Sequence, residues 1–109
     1  MKEVNDKNFQ SKVIENKKTV LVDFWAPWCQ PCIMMENVIK GIKKNHKNME
    51  FFKYNVDENV KISGNYDIRS IPQIMFFTDG DLIETVTGTI SSRDLEILIG
   101  YVLGDNNEI

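Results

Sequence analysis

Thr19-Val20-Leu21-Val22-Asp23-Phe24 is a short run of β-branched and apolar residues with little polar alternation, the pattern of a strand covered on both faces. Such a strand belongs at the centre of a sheet with layers packed on either side. The rest of the chain alternates in the same way between strand-like and helix-like segments, which places it in the α/β class. Met49 to Val56, Ile71 to Phe77 and Leu82 to Thr87 are further strand candidates. The last two flank Thr78-Asp79-Gly80-Asp81, whose Asp-Gly pair reads as a hairpin turn, so they are expected as antiparallel neighbours. Between the strands, Met35, Val38, Ile39 and Ile42 fall at helical spacing with Lys40, Lys43 and Lys44 turned away, and Pro31 marks the helix start. Leu95, Leu98, Ile99 and Val102 repeat that spacing after Ser91 and Asp94, an imperfect capping box. Gly41 and Gly100 inside these helices each cost about 1 kcal/mol relative to alanine. A helix around Asn8 to Glu15, a short one around Val60 to Tyr66 and a strand at Val4 complete the reading.

No repeat, low-complexity stretch or linker-like shift interrupts the 109 residues, so one domain spanning 1–109 is expected. The chain is 42% apolar and 27% charged, enough for one core. A net charge of −3 with scattered lysines provides no basic tract, which argues against nucleic acid or an anionic membrane as the principal partner. Met1 to Asp6 carries no apolar run, and nowhere do eighteen apolar residues follow one another, so neither a secretory signal nor a membrane span is read and a cytoplasmic location is expected.

Trp28-Cys29-Gln30-Pro31-Cys32 holds the only two cysteines. Two thiols at this spacing make either a transient disulfide or half of a metal site. Structural zinc normally takes four N/S ligands, and with His46 the only histidine it would need a second chain or carboxylates. An iron–sulfur cluster fails the same count, and Ile33 stands where haem attachment requires histidine. Redox chemistry remains. In a reducing compartment a cysteine pair is expected to cycle rather than to act as a permanent staple. The order of elements places the pair at the end of the central strand and in the first turn of a helix. There unpaired backbone N–H groups and the macrodipole favour an anion and lower a thiol from about 8.5 towards ~7 or below. Cys29 is thus expected to be the attacking nucleophile. Cys32, inside the helix and more shielded, is expected to resolve the mixed disulfide.

Phe24-Trp25-Ala26-Pro27-Trp28-Cys29-Gln30-Pro31-Cys32, preceded by Val-Asp and followed some way on by Ser70-Ile71-Pro72, resembles the thioredoxin family over nearly the whole chain. Lys53, Asp57, Gly80 and Gly88 fall where that pattern has the same residue type. The resemblance implies a thioredoxin fold, a mixed five-stranded central sheet flanked by four helices. It implies a protein-disulfide reductase that exchanges dithiol for disulfide with protein clients. No bound cofactor is implied; electrons would come from NADPH through a flavoprotein thioredoxin reductase, the other expected partner. The protein is expected to be a monomer.

An acid inside an apolar strand is expensive to bury ionised, so Asp23 is expected to have a raised pKa, a partner or a role, unless it faces water from an edge strand. In thioredoxins the matching acid lies beneath the cysteines, which implies that Asp23 accepts the proton as Cys32 becomes the attacking thiolate. Lys53 matches the lysine that modulates it, and an ordinary surface lysine is the competing reading. Ile71-Pro72 would be trans in most chains, whereas the resemblance implies a cis bond that exposes the Ile71 backbone for strand-like pairing with a client segment. Trp28, Gln30, Pro31, Ile71, Pro72, Gln73 and Gly88, within the Thr87-Gly88-Thr89 turn, would then contact the client. Trp25 and the Met34-Met35 pair are read as core.

Several residues depart from the commonest thioredoxin pattern. Gln30 replaces glycine, Ile33 stands where lysine or arginine is frequent, Asn37 replaces a helix-kinking proline and Gln73 a threonine. Retention of Pro31 points to the reducing side of the superfamily, with a potential of about −270 mV. Gln30 and Gln73 are expected to line the approach to Cys29 and to bear on partner choice. A reductant dedicated to one client is the nearer alternative function. A non-catalytic binding module is the remoter one, since a scaffold needs none of the exchange machinery.

Overall fold

The computed structural model describes residues 1–104; residues 105–109 of the expected domain lie outside the described residues. Strands β1 (Lys2–Val4), β2 (Thr19–Trp25), β3 (Met49–Asn55), β4 (Gln73–Thr78) and β5 (Asp81–Thr87) form one five-stranded sheet in the order β1-β3-β2-β4-β5. β2 runs parallel to β3, and β3 to β1. β4 is antiparallel to both β2 and β5. This is the mixed five-stranded sheet that the resemblance implies, with the Thr19 strand in the middle and buried from Val20 to Phe24.

The two-residue period of the strands sorts the core into two layers. Val20, Val22 and Phe24 of β2 point to one face with Phe52, Tyr54, Met75 and Phe77, where Phe9 and Val13 of the π-helical turn Gln10–Ile14 and its approach cover them. Leu21 points to the other face with Phe51, Ile74 and Phe76, beneath α1 (Gln30–Lys43) and α3 (Ser92–Val102). Asp23 and Lys53 continue the alternation of Leu21 and Phe51 and therefore lie on the α1 side, paired in register across β2 and β3.

The helices follow their apolar stripes. Met35, Ile39 and Ile42 of α1 and Leu95 and Ile99 of α3 are buried. Ser91 caps α3, its Oγ accepting the Asp94 N–H at 3.0 Å. The expected first helix is a short π-helical turn, closed by the Glu15 N–H donating to the Gln10 carbonyl at 2.9 Å. The segment near residue 60 is α2 (Lys61–Asn65), whose start is held from a distance. Asp6 accepts the backbone N–H groups of Val60, Lys61 and Ile62 at 3.0 to 3.2 Å and the Tyr54 hydroxyl at 2.6 Å.

Ile71 and Pro72 precede β4 rather than beginning it, because proline has no N–H to give the ladder. The Thr78–Asp81 hairpin is as expected, with Asp79 at φ 53° and Gly80 at φ 83°, the two left-handed residues of a type I′ turn. A Cβ on Gly80 would lie 2.9 Å from the Ile14 carbonyl oxygen, so the turn is pressed against the π-helical segment.

Candidate active site

The end of β2 and the start of α1 meet at the cysteine pair. Cys29 is the N-cap of α1 in an extended conformation, Gln30 and Pro31 are the first helical residues, and Cys32 is the third. The Cys32 N–H donates to Cys29 Sγ at 3.2 Å, so the Cys29 sulfur takes the place of a capping oxygen on an orphan donor. The two are joined as a disulfide with their Cα atoms 5.2 Å apart. Cys32 begins the buried stripe that runs on through Met35, Ile39 and Ile42 and is 1% exposed; Cys29 is 5% exposed. Ala26 completes this cluster, and Trp25, Val56 and Ile71 pack against it.

Of the residues expected around the pair, the structure brings most to one end of the sheet. Trp28 is 68% exposed, and its Nε1–H donates to Asp57 Oδ2 at 2.9 Å. Gln30 and Pro31 are exposed, Ile71 is half-buried and Pro72 is buried. The Ile71-Pro72 bond is cis. Ile71 lies outside the ladder, whose first paired residue on β4 is Gln73. Gly88, at φ 89°, donates its N–H to the Pro72 carbonyl at 2.9 Å, tying the end of β5 to this turn.

Two expectations need correction. Gln73 is buried rather than openly exposed beside Cys29, being paired on both sides, with β2 and with β5. Met34 is exposed rather than core, unlike Met35, since one residue turns about 100° around a helix and only Met35 stays on the Cys32 stripe. Trp25 is half-buried, with its indole N–H enclosed and without a partner among the described residues.

Asp23 is 1% exposed, and neither carboxylate oxygen has a hydrogen-bond partner among the described residues. Burial pushes its pKa up to about 7; the Glu36 charge adds to the rise and the Lys53 charge opposes it. Lys53 Nζ donates to Glu36 Oε2 at 3.0 Å and lies 4.6 Å from the centre of the Trp25 ring. The lysine is therefore shared between a carboxylate on α1 and an aromatic face rather than bonded to Asp23. Glu36 escaped the sequence reading, although its position four residues after Cys32 puts it beside the buried stripe. The Asp57 clamp on Trp28 and the Asp6 hub likewise join residues too far apart in the chain for local spacing to reveal.

Among the described residues no three His, Cys, Asp or Glu side chains converge as a metal site. His46 lies beyond the far end of α1, its Nε2 2.6 Å from Glu96 Oε1 of α3. No helix of the described residues is long and apolar enough to cross a membrane.

Comparison with known proteins agrees with this geometry. The thioredoxin family model matches residues 1–100. The thioredoxin of Porphyra purpurea is 42% identical over 95 residues, 86% of this chain and 89% of its own length. Thioredoxin 1 of Synechococcus elongatus is 42% identical over 93 residues, 84% of this chain and 87% of its own. A chloroplastic M-type thioredoxin of Brassica napus is 38% identical over 101 residues, 92% of this chain and 57% of its own. Sheet order, cysteine pair and relatives coincide: the chain belongs to the thioredoxin family and is a protein-disulfide reductase.

Proposed function

We propose that Cys29 attacks the disulfide of a client protein and Cys32 resolves the intermediate. The observation that carries this assignment is the asymmetry of the pair, with Cys29 capping the helix N-terminus and Cys32 on the buried stripe. The Cys29 thiolate forms a bond to one client sulfur as the client S–S bond breaks, and the other client sulfur leaves and takes a proton from solvent. Cys32 then gives its proton to the Asp23 carboxylate, its thiolate attacks Cys29 Sγ, and the second client thiol departs. Two electrons pass to the client, and the Cys29–Cys32 disulfide is what remains. Lys53 moderates Asp23 by charge. Trp28, Gln30, Pro31, Ile71 and Gly88 form the client surface, with Pro72 shaping the backbone that an extended client strand would pair with.

Thioredoxins generally bind no cofactor. In this reading electrons reach the disulfide from NADPH through a flavoprotein thioredoxin reductase, and the protein works as a monomer of one domain, 1–109, in the cytoplasm on several clients. Insulin reduction driven first by dithiothreitol and then by a thioredoxin reductase with NADPH tests the chemistry. Cys29→Ser should abolish turnover and Cys32→Ser should hold clients as mixed disulfides. Undiminished activity in Cys29→Ser would refute the assignment, and a single protein trapped on Cys32→Ser would favour a dedicated reductant instead.

A further inference from the structure

Among the described residues Glu36 is the one carboxylate bonded to Lys53, and the exchange chemistry does not use it. Its Oε2 lies 3.0 Å from Lys53 Nζ and 3.6 Å from Lys40 Nζ, so the acid is fixed from the strand side and from one turn further along α1. Lys53 comes from β3 and Ile74, in register with Asp23, from β4. Glu3 of β1 is in register with Lys53 from its other side. Glu36, Lys40 and the two cysteines come from α1 and its cap. Among the described residues Lys53 is thus the only cation in register with the buried acid, and its ammonium is bonded elsewhere.

We propose that Glu36 is a positioning residue: by holding the Lys53 ammonium against α1, it keeps that cation from pairing with Asp23 and leaves the Asp23 carboxylate basic enough to take the Cys32 proton. A lysine free to settle on Asp23 would stabilise the carboxylate and make it a poorer acceptor. Held by Glu36 and stacked over Trp25, the same lysine acts on Asp23 only by its charge at longer range. The inference rests on Asp23 as the proton acceptor, and the test separates the two.

The test titrates the Asp23 side-chain carboxyl carbon by NMR in the oxidised full chain and measures the pH profile of dithiothreitol-driven insulin reduction. In the parent protein the Asp23 midpoint is expected near the value of about 7 that its surroundings impose. Glu36→Gln, of nearly the same shape, should lower that midpoint by roughly one unit and move the acid limb of turnover with it. Glu36→Asp, which keeps the charge, should return both towards the parent. In a Lys53→Met background the effect of Glu36→Gln should shrink, leaving only the direct repulsion between the two acids. An unmoved midpoint in Glu36→Gln overturns the inference, and so does an equal shift with and without Lys53, because Glu36 would then act without the lysine. If Asp23→Asn keeps the acid limb intact, the proton-acceptor reading fails, while the NMR midpoints still decide whether Glu36 governs Asp23.

Discussion

Asp23→Asn should make the protein more stable at alkaline pH while impairing the exchange reaction. Burial raises the folded-state pKa of Asp23 from 3.8 to about 7. The folded chain therefore favours the protonated acid, and this contribution is complete below the unfolded value and is lost as pH rises through the folded one. Above about pH 7 the native state carries an ionised carboxylate whose oxygens have no partner among the described residues. A difference of roughly three pKa units at 1.36 kcal/mol each gives about 4 kcal/mol, an upper figure because water entry and local relaxation soften the cost. Asparagine fills the same space and cannot ionise. Urea unfolding followed by tryptophan fluorescence should thus show parent and variant nearly equal at about pH 4 and diverging by up to about 1.4 kcal/mol per pH unit. By about pH 8.5 the variant should lead by about 2–4 kcal/mol. The same substitution removes the proposed acceptor, so insulin reduction should fall by about 10²-fold, the lower end of what a single general base contributes. A variant no more stable than the parent at alkaline pH, or a gain of equal size at every pH, would refute the reasoning, because an equal gain would reflect packing rather than ionisation.

Two further substitutions probe how the frame is held. Asp6→Ala removes the acceptor of three backbone N–H groups and the Tyr54 hydroxyl, and should destabilise by about 1–2 kcal/mol in urea unfolding after allowance for solvent screening. Those bonds hold the Asp6 pKa below its ordinary value, so the loss should be full at neutral pH and disappear as pH falls through the Asp6 titration. Gly41→Ala and Gly80→Ala should have opposite signs. A Cβ at Gly41 meets nothing within 4 Å and should stabilise by about 0.5–1 kcal/mol. At Gly80 it meets the Ile14 carbonyl oxygen at 2.9 Å with φ at 83° and should cost about 1–3 kcal/mol.

The sheet was legible in the sequence because each strand carries its own pattern. An unbroken apolar run in Thr19 to Phe24 required cover on both faces, and the structure supplies it with α1 and α3 on one side and the π-helical turn on the other. The Asp79-Gly80 hairpin was legible for a different reason, since only that turn chemistry tolerates two consecutive positive φ values. Errors gathered where local pattern gives way to packing. Met34 and Met35 look alike in the chain, yet a single helical step separates a buried thioether from an exposed one. Gln73 was expected on the approach to Cys29 because it follows Pro72, but the same step carries the chain into β4, where it is paired with β2 and β5 and buried.

The candidate site shows the same division more sharply. Period two in β2 and β3 already places Asp23 and Lys53 on one face and in register, which invites a direct ion pair. The pair is not made, because α1 crosses that face and presents Glu36 one turn below Cys32. An ion pair between Lys53 and Glu36 sits at the margin, where both side chains keep some contact with solvent, whereas pairing with Asp23 would carry the ammonium to a nearly fully enclosed carboxylate. Desolvation takes back more of the attraction at Asp23 than at Glu36, because Asp23 has no hydrogen-bond partner among the described residues to offset it. With Glu36 in place the less buried pair therefore wins, and the buried acid is left alone with a raised affinity for protons. Strand alternation gives the face, but the partner is chosen by the depth at which each carboxylate lies, a quantity that exists only once helix and sheet are packed.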